Sequence, residues 1–277
     1  GAGRVQGYGI VYGPIGGTAG TAGVVNASRT LALTEPLEVG ARQARILSLG
    51  AANLGPDASL EGGSITAPNG LFVGGSNTLR GHGTVTARVS AGIGSLIVAE
   101  GGNLTLGIAS SPAGFFSDGD LMTGPHTVTI NDANEAVLGS LTVLGDGVDG
   151  GTLVAGTALP AQTRTHLLIE QGKNLVGRGN VAGSVKNHGA VVGDGLALHQ
   201  RIVFDAGWTV SGIGDFQNVL FNGTFAPGLS PGVVNGAGLA VGGALATVPL
   251  GAPAGDCPVG YRPVKEPANL TLFYEAL

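Results

Sequence analysis

Short apolar triplets followed by glycine pairs recur along this chain. Three fifteen-residue windows, 71–85, 167–181 and 202–216, align without gaps, and each runs from three apolar residues to the pattern x-Gly-x-Gly-x and a further apolar residue. Triplets of this length suit strands that are buried on one or both faces. Glycines two residues apart permit backbone conformations and close approaches that a Cβ would block. The pattern predicts a unit of short strand, turn and short strand.

The unit repeats at irregular intervals. The three windows begin 96 and 35 residues apart, and a fourth window, 96–106, follows only the first half of the pattern. Two windows are followed six residues later by an asparagine, at Asn187 and Asn222. Alternating strand patterns recur at 127–130 and 140–143, whereas glycine interrupts every candidate amphipathic helix. This irregular repeat favours a β-solenoid whose coils stack about 4.8 Å apart, and a β-sandwich is the alternative.

Composition narrows the classes of function. Glycine accounts for 53 of the 277 residues, yet hydrophobic residues make up 43% of the chain, which is too many for a disordered sequence. Charged residues make up 11% and the formal net charge is −5, so the sequence offers no polycationic face for nucleic acid. Residues 216–255 lack charge, but glycines and prolines interrupt them too often for a membrane-spanning helix. The single cysteine, Cys257, forms neither an intrachain disulfide nor a multi-thiolate metal site.

Two segments of the C-terminal half carry a family resemblance. Residues 177–193 read GRGNVAGSVKNHGAVVG and contain a G-x-G-x-V pattern followed by V-x-N-x-G. Residues 224–232 read TFAPGLSPG and contain an F-x-P-G-x-S-P-G turn. Together they resemble the coils and the closing turn of autotransporter passenger domains and related bacterial surface β-helices. The resemblance implies a right-handed parallel β-helix that is exported to the cell surface.

The resemblance also implies where the coils end. Residues 238–243 and 270–275 look like the last strands of such an array. We expect a β-solenoid over residues 1–248 and an irregular, proline-containing capping segment over residues 249–277. Within that segment, residues 260–263, GYRP, are similar to segments near the ends of some phage tail and receptor-binding proteins. A homotrimeric phage tail component is therefore an alternative.

Two motifs suggest a nucleophile or a cofactor, and each lacks a required partner. Gly228-Leu-Ser230-Pro-Gly232 has the form of a nucleophile elbow, but Pro231 has no backbone N–H to supply to an oxyanion hole. Residues 145–150, GDGVDG, have the form of a dinucleotide-binding loop. The strand-like run GTLV follows where such a site requires a helix to begin. Both motifs are interpreted as turns.

His82 is a third candidate. The run Gly81-His82-Gly83 is similar to the Gly-His-Gly of β-helical polygalacturonases, which carry paired aspartates beside it. Glycoside hydrolysis needs two carboxyl groups that flank one bond, and Asp57 is the only aspartate before His82 in this sequence. The windows place Arg178 and Ile213 at the position of His82. We therefore expect His82 at a variable, outward position.

Two aspartate pairs, Asp118 with Asp120 and Asp146 with Asp149, are candidate calcium ligands. Calcium takes about six to eight oxygen ligands, and neither pair supplies enough carboxylates locally. Solvated turns are the competing interpretation. No catalytic, cofactor-binding or metal-binding residue is therefore predicted.

Threonines and aromatic residues are candidates for surface binding. Thr84-Val-Thr86 and Thr127-Val-Thr129 suggest the threonine ladders of ice-binding solenoids, but two instances do not make an array. Trp208 is a candidate for stacking on sugars, although aromatic residues make up only 5% of the chain. Neither feature predicts a binding platform.

We therefore expect a non-enzymatic structural or adhesive module of a cell-surface or secreted protein. Its expected partners are protein or glycan surface ligands, or further copies of the chain in a homo-oligomer, with no nucleic acid, no cofactor and no membrane span. A phage tail fibre or tailspike component of a virion is the first alternative. A polysaccharide lyase or hydrolase is the second.

Overall fold

The protein is almost entirely β-structure. The computed structural model describes residues 51–108, 114–132, 135–155, 167–212 and 214–227 continuously, together with shorter strand segments on either side. Within these residues the one helical element is a single 3-10 turn, Leu198–Gln200. The described part of the chain has no helix with the length and apolar character needed to span a membrane. The all-β prediction is confirmed.

The strands are mostly short, and three long ones bend through corners. In chain order the described strands are β1 (Arg4–Gly7), β2 (Ile10–Val11), β3 (Ile15–Gly16), β4 (Gly23–Ala27), β5 (Ala32–Leu33), β6 (Leu37–Glu38), β7 (Gln43–Leu47), β8 (Ala52–Leu54), β9 (Ala58–Val73), β10 (Thr78–Ala91), β11 (Leu96–Ile108), β12 (Phe115–Ser117), β13 (Asp120–Met122), β14 (Thr127–Asp132), β15 (Ala136–Val137), β16 (Leu141–Leu144), β17 (Gly151–Ala155), β18 (Leu167–Ile169), β19 (Asn174–Gly177), β20 (Gly179–Ala182), β21 (Val185–Asn187), β22 (Ala190–Gly193), β23 (Ile202–Phe204), β24 (Thr209–Gly212), β25 (Asp215–Gln217), β26 (Val219–Phe221), β27 (Thr224–Pro227), β28 (Gly236–Ala237), β29 (Ala240–Val241), β30 (Tyr261–Pro263) and β31 (Tyr274–Ala276).

The strands stack into three parallel ladders, here called faces A, B and C. Strand β10 shows the order, since residues 78–81 lie in face A, residues 83–87 in face B and residues 89–91 in face C. Face A contains β3, β6, the first parts of β9 to β11, β13, β16, β19, β22, β25 and β28. Face B contains β1, β4, β7, the middle parts of β9 and β10, the end of β11, β14, β17, β20, β23, β26 and β29. Face C contains β2, β5, β8, the ends of β9 and β10, β12, β15, β18, β21, β24 and β27.

The number of residues per coil varies, while the ladders continue unbroken. On face B, Phe204 lies beside Phe221, 17 residues later, whereas Leu153 lies beside Val181, 28 residues later. Corners of different length absorb the difference, which explains the irregular repeat in the sequence. Because the ladders are parallel throughout, the β-solenoid prediction is confirmed and the β-sandwich alternative is wrong. Right-handed winding stays a prediction.

The third sequence window is displaced by one face relative to the first two. The triplets 71–73 and 167–169 lie on face C, but the triplet 202–204 lies on face B. The asparagines that follow the second and third windows therefore have different environments, since Asn187 is buried on face C and Asn222 is exposed beyond the end of β26 on face B. The same sequence pattern forms a strand and a corner on either face, so the alignment of the windows does not determine on which face a window lies.

Alternate residues of each strand point inward and stack in columns. On face A the inward column consists of Leu79, Ile97, Leu121, Thr142, Leu175, Val191 and Phe216. Towards the C-terminal end the core becomes aromatic, because the ring of Phe221 lies 5.3 Å from that of Phe204 and 4.5 Å from that of Phe225. Burial of these apolar side chains is the main stabilising term in a chain with so few charges.

The C-terminal strands differ from the expectation. A closing strand is predicted at 270–275, but β31 spans Tyr274–Ala276 and pairs antiparallel with β30 in a separate two-stranded sheet. The last described strand of the ladders is β29. Ser230, Cys257 and the expected boundary at residue 249 lie outside the described residues, so that boundary stays a prediction.

The tight corner between faces A and B requires glycine. Gly81 has a φ of +114°, and a Cβ on it would overlap the carbonyl oxygen of Leu60 in the preceding coil. Gly177 at the same corner has a φ of +106°, and its Cβ would overlap the carbonyl oxygen of Leu144. The glycine pairs of the sequence windows therefore mark places where neighbouring coils lie too close together for a side chain.

Replacing Gly81 with alanine is expected to lower the free energy of unfolding more than Gly207→Ala does. Gly207 also has a positive φ, of +86°, but its Cβ would have no atom within 4 Å. The control variant therefore has only the backbone cost of about 1–2 kcal/mol, whereas Gly81→Ala adds an overlap with the adjacent coil. Denaturant unfolding measures both losses, and equal losses would contradict the close approach of coils at this corner.

Candidate functional site

His82 lies at the tight corner between faces A and B. Its half-buried side chain packs between Gly62 of the preceding coil and Gly102 of the next coil. The Nδ1 atom of His82 lies 3.2 Å from the carbonyl oxygen of Glu100, to which a protonated Nδ1 donates. Asp57, the one aspartate before His82 in sequence, forms an ion pair with Arg80 at 2.9 Å. The corner thus holds His82 among glycines and leaves Asp57 engaged with a cation.

Arg178 occupies the same corner in a later coil, as the window alignment predicts. Its Nε donates to Asp194 at 2.7 Å and its guanidinium also donates to the carbonyl oxygen of Val148 at 3.1 Å. Arg178 therefore joins the loops of the coils on either side of it. Ile213, the third aligned residue, lies outside the described residues, and its window is displaced by one face.

One aspartate of each candidate calcium pair is engaged with another group of the protein. The backbone amides of Asp149 and Val148 both donate to Asp146 at 2.8 Å, and these hydrogen bonds lower the pKa of Asp146. Strand β17 begins at Gly151, where a dinucleotide-binding loop would need a helix. Asp118 pairs with Lys173 at 3.1 Å. Among the described residues there is no group of three or more His, Cys, Asp or Glu side chains that could hold a metal ion.

Lys173 is the centre of a charged cluster at the corner between faces C and A. Its ammonium group contacts Glu170 at 2.9 Å and Asp118, in an earlier coil, at 3.1 Å, and it also donates to the carbonyl oxygen of Ser117 at 3.2 Å. It lies 5.6 Å from the ring centre of Phe116, within the range of a cation–π contact. Burial acts to lower the pKa of Lys173, but the hydrogen bonds to Glu170 and Asp118 together outweigh it, so the pKa is raised.

A shallow depression lies beside this cluster. It has a volume of about 460 Å³ and is lined by Leu168, Glu170, Gln171, Lys186 and His188. Leu168 and Lys186 are register partners on face C, and the amide of His188 donates to Ile169 at 2.8 Å. The lining mixes both signs of charge on an open surface. It can hold a polar ligand loosely, but it does not form an enclosed catalytic cleft.

The outward side chains of face A form an aliphatic row, here called the apolar ladder. It consists of Val98, Met122, Val143, Val176 and Val192, which are register partners in successive strands. Each side chain is partly covered by its neighbours above and below and keeps its outer edge accessible. Arg80 precedes the ladder and Gln217 follows it. A continuous apolar surface of this kind marks a contact surface more often than scattered apolar residues do.

The outward side chains of face B form a hydroxyl-rich surface, here called the threonine array. Its members are Ser64, Thr66, Thr84, Thr86, Thr105, Thr127, Thr129 and Thr152. The sequence expectation that two Thr-x-Thr motifs do not make an array is therefore wrong. Coils of unequal length conceal the register, and Thr105 and Thr152 stand singly between apolar or glycine residues. Only the pairing of strands shows that they share a face with Thr84 and Thr129.

Trp208 is half-buried at the corner between faces B and C. Its carbonyl oxygen accepts a hydrogen bond from the amide of Thr224 at 2.8 Å. Nearby, burial raises the pKa of Asp205. The hydrogen bond from Thr224 links two successive coils at this corner. A single tryptophan does not make the aromatic platform considered from the sequence.

Searches for similar proteins returned no match. Neither a scan of protein-family models, nor a search of curated proteins, nor a search of solved structures matched this chain. The resemblance to bacterial surface β-helices therefore rests on the sequence motifs. Functional inference rests on the faces and corners of the solenoid.

Replacing Lys173 with methionine is expected to remove a pH-dependent contribution to stability. Because the folded pKa of Lys173 is raised above its ordinary value of 10.5, its stabilisation is fully present below that pH and is lost as pH rises through the folded pKa. The contribution should be within about 1 kcal/mol, since both carboxylates are partly exposed. Unfolding measured between neutral and strongly alkaline pH tests this, with Lys186→Met as the control. If the difference in free energy of unfolding between the wild type and Lys173→Met is constant across this pH range, the ion pairs of Lys173 do not stabilise the fold.

Proposed function

We propose that this chain is a non-enzymatic structural or adhesive module that acts outside the cell. The stacked coils form a stiff scaffold, and the outward side chains of its faces present contact surfaces. The mechanism is passive, because it requires only that a face remains flat and correctly spaced. The resemblance of residues 177–193 and 224–232 to bacterial surface β-helices supports an extracellular location.

The apolar ladder of face A is the observation that carries the adhesive role. Its five side chains are aliphatic or Met, and the face has no aromatic side chain at the ladder positions Val98 to Val192. The centres of protein–protein interfaces are depleted in charge and enriched in apolar side chains. A protein surface is therefore the partner that this face fits best, and glycans are the less suitable class.

An adhesion assay tests this role directly. Beads coated with the purified chain should be retained on surfaces coated with fibronectin or collagen, and less on surfaces coated with dextran or alginate. The double variant Val143→Lys/Val176→Lys places two charges at the centre of the ladder, and it should reduce retention by about tenfold because the charges must be desolvated on contact. Ser90→Lys, on face C, is the matched control and should retain wild-type adhesion.

Two results would contradict the proposal. One is equal retention of the double variant and the wild type, which would show that adhesion does not depend on the apolar ladder of face A. The other is release of unsaturated or reducing sugar ends from a panel of acidic and neutral polysaccharides, which would favour a lyase or hydrolase instead. Protease treatment of intact source cells tests the location, since an extracellular module should be cleaved without lysis.

A further inference from the structure

The threonine array is a two-dimensional arrangement of hydroxyl groups. Along the stacking direction, Ser64, Thr84, Thr105 and Thr129 are consecutive register partners. Across it, Thr66 and Thr86 extend the rungs of Ser64 and Thr84 on one side. On the other side, Thr127 extends the rung of Thr129, and Thr152 follows it in the next coil beside Val154. Neighbouring strands lie about 4.8 Å apart, and residues two apart in a strand lie about 6.6 Å apart. The hydroxyls therefore form a partial lattice with two fixed spacings, in which the rung of Thr105 carries a single hydroxyl.

The lattice is held rigidly. Each strand of the array is hydrogen-bonded to parallel strands on both sides, from β9 through β17. Threonine is branched at Cβ, so its side chain has few accessible rotamers. The side chain of Asn103 adds a further link, because its oxygen accepts the amide of Thr127 at 2.9 Å. A ligand that matches this spacing therefore binds without ordering the protein first.

The positions that continue face B beyond the array are mixed in chemistry, and in the preceding coil Gln43 and Arg45 are the register partners of Ser64 and Thr66. The outward residues that continue face B towards the C-terminus are Val154, Asn180, Ala182, Val203 and Leu220. The charged side chains of the neighbouring coils, Glu61, Glu100 and Arg88, lie at the corners on either side of the face. Thr84 and Thr86 are exposed, and the other members are half-buried between their neighbours. The eight members of the array themselves present hydroxyl groups, together with methyl groups on all but Ser64, and carry no charge.

The hydroxyl and methyl groups of the array suit ordered water better than anions or solid polysaccharides. Anions need cationic donors, and none of the outward residues of the array carries charge. Solid polysaccharides are bound through flat aromatic surfaces, and the array contains none. Ordered water requires hydroxyls that accept and donate hydrogen bonds at fixed spacings, with methyl groups between them that leave the water to bond with itself. Ice repeats its water oxygens over distances of similar length to those of the array.

We propose that face B binds ice, with the threonine array as the binding surface. Water molecules held by the hydroxyls occupy lattice positions and join the crystal as it forms. Growth between adsorbed molecules is then hindered. This inference goes beyond the proposed function, since it involves a different face and a solid ligand, and it holds whether or not face A binds protein.

Thermal hysteresis tests the proposal with the purified chain and pure ice. The wild type should hold a single ice crystal without growth over a temperature gap and should shape the crystal into facets. Thr105→Lys, at the centre of the array, should reduce the gap by about tenfold. Thr78→Lys is the matched control, because Thr78 is also a half-buried outward threonine but lies on face A, and it should leave the gap unchanged.

Two further variants make the result decisive. Thr105→Val keeps the shape and a methyl group but removes the hydroxyl, and it should reduce the gap if the hydroxyl anchors water. Circular dichroism shows whether Thr105→Lys folds. If it does not, Thr84→Lys, which replaces an exposed residue of the array, takes its place as the test variant. Absence of hysteresis and faceting in the folded wild type would overturn the proposal, as would an unchanged gap in the lysine variants. Retention on crystalline cellulose or chitin without ice activity would assign the array to a polysaccharide and also overturn it.

Discussion

Backbone hydrogen bonding between successive parallel coils is the constraint on which the structure depends. Between the first and last described strands of each ladder, every strand lies between a strand of the preceding coil and one of the next coil, so its N–H and C=O groups find partners on both sides. The register fixes which side chains stack, as when Leu79 lies beside Ile97 in the core and Arg80 lies beside Val98 outside. The same register brings coils so close at Gly81 that no side chain fits there. Core, corners and surfaces are all consequences of one ladder geometry.

The three faces differ in chemistry because each outward column is independent of the core. Face A carries the apolar ladder, face B carries the threonine array, and Lys173 and Arg178 form ion pairs at the corners. Corner loops carry charges without disturbing the flat faces, since loops vary more freely than the strands they connect. The scaffold can therefore present surfaces of different chemistry on different faces.

The sequence predicts those features that depend on local pattern. Apolar triplets mark strands, and glycine pairs mark corners such as the one at Gly81, because both signals lie within a few residues. The sequence does not predict contacts that depend on the length of each coil. Lys173 meets Asp118 only because the intervening coil has a particular length, and Thr105 joins Thr129 for the same reason. The closing strand expected at 270–275 differs because its partner, β30, lies outside the ladders.

Distances between spin labels along one face test the stacked register most directly. In a Cys257→Ser background, label pairs at Ser64 with Val154 and at Ser64 with Ala182 span four and five steps of one face B column. The account predicts separations of roughly 19 and 24 Å, a difference of about one 4.8 Å step, although 28 residues separate Val154 from Ala182. A difference that follows the number of intervening residues, or distances that do not grow with each step, would contradict the solenoid.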